Sequence, residues 1–145
     1  MKIEPRIGLE DVFFGMTRDQ VLEVKGEPEH VSESEHAEGE AAESWYYPAL
    51  GLALHFEEEC EWRLKYMETT SPDAKLKGEK IIGFSPAALR KHLRKKRVEW
   101  GEEEGEGGLF YSEAWDMNFW FRDGAVESVQ WEVRLDEDDN YMWPK

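Results

Sequence analysis

The amino-acid sequence predicts an α+β fold, in which two tandem α-β-β-β repeats form an antiparallel sheet with helices packed on one face. Two observations predict this arrangement. A helix-start signal at residues 14–28 returns in degraded form 68 positions later, beginning at Gly83. Behind each copy, large apolar residues alternate with polar ones, which is typical of half-buried strands. We expect one domain over residues 1–145, with repeats at about 7–70 and 80–134 and an acidic, aromatic tail at 135–145.

Each copy of the signal predicts a helix with a defined start. Thr17 is the predicted N-cap of the first helix, and Gln20 three residues later completes a capping box. Gly26-Glu27-Pro28 ends that helix. In the second copy, Ser85 is the predicted cap and Pro86 takes the first helical position, where proline is favoured. The predicted helices are Gly15–Lys25 and Ser85–Arg97.

Alternating apolar residues predict about three antiparallel strands behind each helix, and therefore a sheet of roughly six to eight strands. The segment Arg122-Asp123-Gly124-Ala125 predicts a hairpin turn, because Asp-Gly readily adopts the positive φ that such a turn requires. The predicted apolar faces are Leu52, Leu54 and Phe56; Trp62, Leu64 and Tyr66; Met117, Phe119 and Phe121; and Val129, Trp131 and Val133. Segments that match at an offset of 65 are Trp45-Tyr46 with Phe110-Tyr111, His55-Phe56 with Trp120-Phe121, and Leu64–Glu68 with Val129–Val133.

The net charge of −15 is distributed unevenly along the chain. No Lys or Arg falls between Lys25 and Arg63, where eleven carboxylates lie, and none between Arg97 and Arg122, where seven lie. Positive charge is concentrated between Arg90 and Arg97. A field this negative repels phosphate backbones, so the charge disfavours nucleic acid and favours a basic protein partner. The alternative is that the acids only keep the protein in solution.

Three features bear on where the protein works. No apolar run approaches the roughly 20 residues that span a bilayer, so no membrane segment is predicted. The start, Met1–Pro5, lacks the apolar segment of a signal peptide. Cys60 is the single cysteine, which excludes an internal disulfide and a thiolate metal cluster. Together these features predict a cytoplasmic location.

The first helix signal resembles that of known families. Gly15-Met16-Thr17-x-x-Gln20-Val21, followed by Gly26-x-Pro28, resembles the helix signature of the SmpA/OmlA module and of the BLIP-like (beta-lactamase-inhibitor-protein-like) fold. The resemblance implies tandem repeats of one helical segment packed on antiparallel strands, and it covers most of residues 7–134 in layout. The lipidation cysteine of SmpA-type lipoproteins and the paired disulfides of secreted beta-lactamase inhibitors are absent. The resemblance therefore implies the fold and a tendency toward protein binding.

No catalytic residue, metal site or cofactor is predicted. His30 and His36 could form a loop metal site, but their spacing does not match a helical ligand pair such as H-E-x-x-H. His55 is opposite in phase to the apolar residues of its strand, so we expect it to face solvent or the other sheet face. Cys60 lies five residues away in no known catalytic arrangement, and we expect a reduced bystander. Asp136–Asn140 lacks the glycine and the distant glutamate of an EF-hand loop, which favours a solvated tail.

The predicted site rests on aromatic residues in the predicted strands. Trp120 is opposite in phase to Met117, Phe119 and Phe121, so both faces of the last hairpin carry bulky side chains. Aromatic residues beside carboxylates have the composition of a binding surface. The alternative is that both faces are structural, with the second covered by a dimer partner or by Tyr141–Trp143. The predicted partner-binding residues are Trp45, Tyr47, His55, Trp115, Trp120, Glu113 and Asp116.

The sequence therefore predicts a non-catalytic, acidic protein-binding module. In this hypothesis the protein is of the inhibitor or immunity type, and its sheet face binds a basic protein that the carboxylates attract. One alternative is an acidic chaperone or adaptor that serves a secreted protein as a homodimer. Another is an enzyme with an unrecognised site, which a deep pocket with converging polar groups would favour.

Overall fold

The computed structural model describes residues 1–35, 39–104 and 108–144, so His36 of the predicted loop metal site lies outside the described residues. The fold is mixed α+β, with two helices and mostly sheet, and the helices are α1 (Arg18–Lys25) and α2 (Pro86–Lys95). The strands are β1 (Lys2–Ile3), β2 (His30–Glu35), β3 (Ala41–Tyr47), β4 (Leu52–Glu57), β5 (Arg63–Thr69), β6 (Lys75–Leu76), β7 (Glu79–Lys80), β8 (Gly101–Glu103), β9 (Leu109–Ser112), β10 (Met117–Arg122) and β11 (Ala125–Glu132).

Eight of these strands form one antiparallel sheet, in the order β2-β3-β4-β5-β11-β10-β9-β8. Strands β2–β5 are adjacent in chain order in one half of the sheet, and β8–β11 are adjacent in reverse order in the other half. The two central strands, β5 and β11, are therefore each the last of four consecutive strands. Their pairing places Met67 opposite Trp131 and Thr69 opposite Val129. A second, three-stranded sheet pairs β1 parallel to β6 and β6 antiparallel to β7.

Four strands of the large sheet follow each helix, so the prediction of about three was one short. The missed strands are β2 and β8, which lie at the two edges of the sheet. Their sequences, HVSESE and GEE, contain almost no apolar residues. An edge strand that is exposed on both faces needs no apolar alternation, and charged side chains there discourage pairing with other chains.

The face of the large sheet toward the helices, here called the inner face, forms the core. Val21 of α1 and Leu89 and Leu93 of α2 are buried in one cluster with it. Burying each large apolar side chain contributes about 1.5–3 kcal/mol. The indole Nε1 of the fully buried Trp131 donates to Gly8 O at 3.2 Å, so this polar atom is satisfied. The buried inner-face residues are Trp45, Tyr47, Leu52, Leu54, Phe56, Leu64, Met67, Phe110, Met117, Phe119, Phe121, Val126, Val129 and Trp131.

A β-bulge interrupts each long hairpin. The register shifts between His55 and Phe56 where β4 pairs with β5, and between Trp120 and Phe121 where β10 pairs with β11. The first bulge makes the predicted common face of Trp62, Leu64 and Tyr66 wrong. Leu64 pairs with Phe56 whereas Tyr66 pairs with His55, so the extra residue between them turns their side chains to opposite faces.

The hairpin turns also change the predicted offset of 65 in the last strands. Five residues separate β4 from β5, whereas Asp123 and Gly124 alone separate β10 from β11. Leu64 pairs with Phe56 as Val126 pairs with Phe121, so these residues correspond at an offset of 62 and not 65. Strand pairing therefore does not place Leu64–Glu68 and Val129–Val133 at equivalent positions in their hairpins.

Both helix starts agree with the sequence analysis. Thr17 Oγ1 accepts a hydrogen bond from Gln20 N at 3.2 Å, and Thr17 N donates to Gln20 Oε1 at 2.9 Å, which completes the capping box. Ser85 Oγ accepts from Ala88 N at 3.1 Å, with Pro86 in the first turn. These bonds satisfy backbone donors that a helix leaves unpaired at its start.

The acidic part of the tail, Asp136–Asn140, is exposed as predicted, whereas its aromatic part packs on the protein. Tyr141 and Trp143 are half-buried, stack on each other at 5.0 Å between ring centroids, and pack against the core. A Cβ added to Gly15 would lie 3.1 Å from the Trp143 ring, so this glycine permits the close packing. The acidic part forms a turn in which Asp136 Oδ1 accepts from the backbone N–H groups of Asp138 and Asn140, each at 2.9 Å.

We expect Leu89→Asp to unfold the protein or to lower its free energy of unfolding by about 3–5 kcal/mol, because it places an unpaired carboxylate in a fully buried site. Lys91→Asp is the matched control, since Lys91 lies two residues further along the same helix and is exposed. Urea denaturation followed by circular dichroism measures both variants. Equal effects at the two positions would contradict the described packing of α2.

Candidate functional site

The candidate site is the face of the large sheet that points away from both helices, here called the outer face. Strand pairing defines its residues, because directly paired residues point to the same side. Two cross-strand rows run through its centre, one through Ser44, His55, Tyr66 and Glu132 and the other through Tyr46, Ala53, Glu68, Gln130, Asn118 and Tyr111. His30 extends the second row at one edge, and Trp120 lies beside the two rows on β10.

Two stacked aromatic pairs lie on the part of the outer face formed by β2–β5. The rings of His55 and Tyr66 stack with centroids 3.9 Å apart and an angle of 17° between their planes. The exposed His30 ring stacks on Tyr46 at 5.7 Å. Ser44 Oγ lies 2.6 Å from His55 Nδ1, so the imidazole is fixed on two sides. This part of the face therefore presents ordered aromatic surface instead of freely rotating side chains.

His55 packs inside this cluster and is too buried to contact a partner, although it was predicted to do so. It is 8% exposed, and its Nε2 has no hydrogen-bond partner among the described residues. Burial lowers the pKa of His55 from 6.5 to about 4, although the Glu57 carboxylate acts in the opposite direction. The imidazole is therefore neutral at neutral pH, when Nδ1 or Nε2 carries a single proton.

A partly buried ion pair lies at one end of the outer face. Lys65 Nζ lies 3.0 Å from Glu57 Oε2, and it also lies 5.8 Å from the centroid of the Tyr141 ring. Burial by itself would lower the pKa of Lys65, but the hydrogen bond and the charge of Glu57 outweigh it and raise the pKa. Burial, followed by the charges of Glu57 and Glu68, raises the pKa of Tyr66.

A cleft of about 290 Å³ opens over β9, β10 and β11. Its lining combines aromatic, amide and carboxylate groups, including Tyr111, Asn118, Gln130, Asp116 and Glu132. Asp116 lies near two guanidinium groups, with its Oδ2 3.8 Å from Arg6 Nε and 3.9 Å from Arg134 Nε. Burial nevertheless raises the pKa of Asp116, against the effect of both arginines.

Gly101 sets the position of Tyr111 in this cleft. Gly101 lies opposite Tyr111 in the pairing of β8 with β9. A Cβ added to Gly101 would come within 2.3 Å of the Tyr111 hydroxyl oxygen and closer still to Cζ, so the phenol ring lies directly across the glycine. An aromatic ring that covers an edge-strand glycine shields the backbone there and fixes its own orientation.

Trp45 and Tyr47, two of the predicted partner-binding residues, lie on the inner face and are not accessible to a partner. They are 5% and 6% exposed. Trp45 Nε1 donates to Glu43 Oε1 at 2.6 Å, and the Tyr47 hydroxyl donates to Gly26 O at 3.0 Å. Burial raises the pKa of Tyr47 to about 12. Both side chains belong to the core between the sheet and α1.

The other predicted residues are divided between two places. Trp120 is 41% exposed on the outer face, and Asp116 and the exposed Glu113 line its cleft. Trp115 is half-buried beyond the sheet, in the turn between β9 and β10, and packs against the core. Lys77 Nζ lies 5.9 Å from the centroid of its ring. Trp115 therefore belongs to a different surface from Trp120.

The sequence analysis missed three outer-face aromatic residues, Tyr46, Tyr66 and Tyr111. Tyr46 and Tyr111 alternate with buried neighbours, so strand phase alone could have placed them with His55. Tyr66 was assigned to the face of Leu64, and the bulge between β4 and β5 was not visible in the sequence.

The described residues contain little that could perform covalent chemistry. Cys60 is 5% exposed, its thiol lies 3.4 Å from Glu57 O, and burial raises its pKa, so it stays protonated. Ser44 contacts His55 Nδ1, but Nε2 has no described carboxylate partner that would orient the ring as a general base. No group of three or more His, Cys, Asp or Glu side chains in the described ranges could hold a metal ion.

Comparison with known proteins adds information on the fold. No protein-family model and no curated protein matches the chain. The chain is similar to the crystal structure of an extracellular protein containing an SCP domain from Bacillus anthracis strain Ames, with a TM-score of 0.51 and 15% sequence identity. The match covers 83% of this chain and 44% of that one, so the chain spans less than half of the similar protein. At this identity the similarity shows a shared fold. In the described ranges, neither helix is long and apolar enough to cross a membrane.

The low pKa of His55 predicts that its burial makes the protein less stable in mild acid. The unfolded chain takes up a proton near pH 6.5, whereas folded His55 does so only near 4. Between these two pH values the proton binds the unfolded chain more readily than the folded protein. The free energy of unfolding is therefore unaffected by His55 above pH 6.5 and falls as the pH drops from 6.5 toward 4. We expect a loss of about 2 kcal/mol from this group between pH 7.5 and pH 5.

The measurement is the free energy of unfolding in urea at both pH values, for the wild type and for His55→Gln. Glutamine keeps a neutral polar group near Ser44 but does not titrate. The loss due to His55 should therefore be absent from His55→Gln and should appear as the difference in pH dependence between the two proteins. An identical pH dependence in both proteins would show that His55 does not titrate as described.

Proposed function

We propose that the protein is a non-catalytic binding module whose outer face binds a basic protein, in the manner of an inhibitor or an immunity protein. The observation that carries the proposal is the exposure of Trp120 and the ordered tyrosines on a sheet face that neither described helix covers. A large aromatic group on a rigid support gives contact area with little loss of side-chain entropy on binding.

Charge supports a basic partner. Glu68 and Glu132 lie on the outer face, and Glu103, Glu113 and Asp116 line its cleft. Lys65, at one end of the face, is already paired with Glu57. The net charge of −15 extends the negative field beyond the contact surface. Such a field raises the rate at which a basic protein associates, while the aromatic groups slow its dissociation.

We also propose that the chain consists of two tandem repeats, each a helix followed by four strands. The mirrored strand order β2-β3-β4-β5 and β11-β10-β9-β8 supports this assignment. So do the two bulges, which follow His55 and Trp120, 65 positions apart. This layout supports the resemblance to the BLIP-like fold and to the SmpA/OmlA module, whose helix signature Thr17 and Gln20 carry.

The proposed function makes no use of a cofactor or a metal ion. A cytoplasmic location stays a prediction from the sequence, and the similar solved structure belongs to an extracellular protein. Inhibitor and immunity proteins occur in both kinds of compartment, so the proposed binding mode does not depend on this point.

The test is to find the partner with immobilised protein and then to measure its affinity for variants by calorimetry. We expect Trp120→Ala to raise the Kd about 30-fold, because truncating a central tryptophan removes about 2 kcal/mol or more of binding free energy. The far-ultraviolet circular dichroism and the urea midpoint should change little, since the Trp120 side chain is 41% exposed.

Phe13→Ala is the matched control, because Phe13 is 37% exposed and lies in the loop before α1 rather than on the outer face. It should leave the Kd unchanged. The proposal fails if Trp120→Ala binds as tightly as the wild type, or if both variants weaken binding equally. A stable homodimer that encloses an extended partner segment would instead support a chaperone or adaptor.

A further inference from the structure

A second cleft, of about 620 Å³, lies beyond the end of α2 and has a charge opposite to that of the outer face. Four basic residues line it, although the chain as a whole carries a net charge of −15. We name it the cationic cleft. Its lining residues that matter here are Arg6, Lys77, Lys96, Arg97 and Trp115.

Three of these cations are available for a ligand. No ion pair joins Lys77, Lys96 or Arg97 to a carboxylate of the described residues. Arg6 is held differently, because it donates to Ala114 O and lies 3.8 Å from Asp116. Glu99 is the one acidic residue among the described lining residues.

The backbone conformation at Lys77 and Arg97 determines the direction in which their side chains leave the main chain. Lys77 has φ 50° and precedes Gly78 in the turn between β6 and β7, while Arg97 has φ 57° just after α2. Both residues are therefore in the left-handed region, which is uncommon for residues other than glycine. Trp115 forms an apolar wall that packs against the core. The cleft thus combines a rigid aromatic surface with cations from three separate segments.

We propose that the cationic cleft binds a short acidic segment of a protein partner. Lysine and arginine bind carboxylates by charge-assisted hydrogen bonds, and Trp115 offers an apolar contact between them. The cleft is open to solvent, which suits a chain that passes through it better than a small molecule that must be enclosed. A long polyanion such as nucleic acid is disfavoured, because its charge would extend over the surrounding acidic surface.

The test measures binding of fluorescently labelled hexaglutamate by anisotropy at low ionic strength, with hexaglutamine as the neutral probe. We expect hexaglutamate alone to bind, and more weakly at about 0.15 M salt. Lys77→Asn with Arg97→Asn should raise the Kd about tenfold or more, since two charge-assisted contacts are lost. Asparagine tolerates positive φ, so both positions should keep their backbone conformation.

Lys2→Asn with Arg122→Asn is the matched control, because it changes the net charge equally at two exposed residues outside the cleft. It should leave the Kd within about twofold, as surface charges are screened with distance. Lys96→Gln provides a second variant within the cleft and should also weaken binding, should the double variant fold poorly.

Two results would overturn the proposal: no binding of hexaglutamate by the wild type, or equal effects of the cleft and control variants. Inorganic pyrophosphate that binds while hexaglutamate does not would assign the cleft to a small phosphate ligand instead. None of these residues lies on the outer face, so either surface can fail its test without affecting the other.

Discussion

The antiparallel pairing of β5 with β11 is the interaction on which the rest of the structure depends. It joins the two runs of four strands, with Met67 opposite Trp131 and Thr69 opposite Val129. Because both runs present apolar residues to the same side of this junction, one continuous core forms beneath α1 and α2. The opposite side receives neither described helix, and its tyrosines, Trp120 and carboxylates stay within reach of a partner.

The sequence predicted the parts of this fold that depend on local chemistry. The Thr17 and Ser85 caps, and the buried phase of Met117, Phe119 and Phe121 opposite Trp120, are confirmed. The errors have non-local causes. A bulge places Tyr66 opposite His55. The edge strands need no apolar pattern. Trp45 and Tyr47 are buried on the face of the sheet that α1 covers. Local composition does not encode these relations. Three residues of the predicted site therefore remain on the accessible surface of the outer face and its cleft, namely Trp120, Glu113 and Asp116.

Charge of both signs is organised in space, although the chain is strongly acidic. Basic residues that lie close together in the sequence have separate roles in the structure. Arg90 pairs with Glu102 at 2.7 Å and Arg94 lies 5.8 Å from the Trp100 ring, so both serve local packing at the edge strand β8. Lys96 and Arg97 continue past the helix into the cationic cleft. The two proposed binding surfaces therefore differ in the sign of their charge and would select partners of opposite charge.

The bulge in β5 also determines where the chain tolerates a change in length. Lys65 is the extra residue between Leu64, which faces the core, and Tyr66, which faces outward. Loss of this one residue would leave Leu64 and Tyr66 adjacent and still on opposite faces, so the strand would become regular while the bulge and the Lys65–Glu57 ion pair were lost. The turn between β4 and β5 is three residues longer than the turn between β10 and β11, and both hairpins form. A change in length is therefore accommodated at the ends of these hairpins or at the bulge itself, whereas loss of a residue from a regularly paired stretch moves the side chains beyond it to the opposite face.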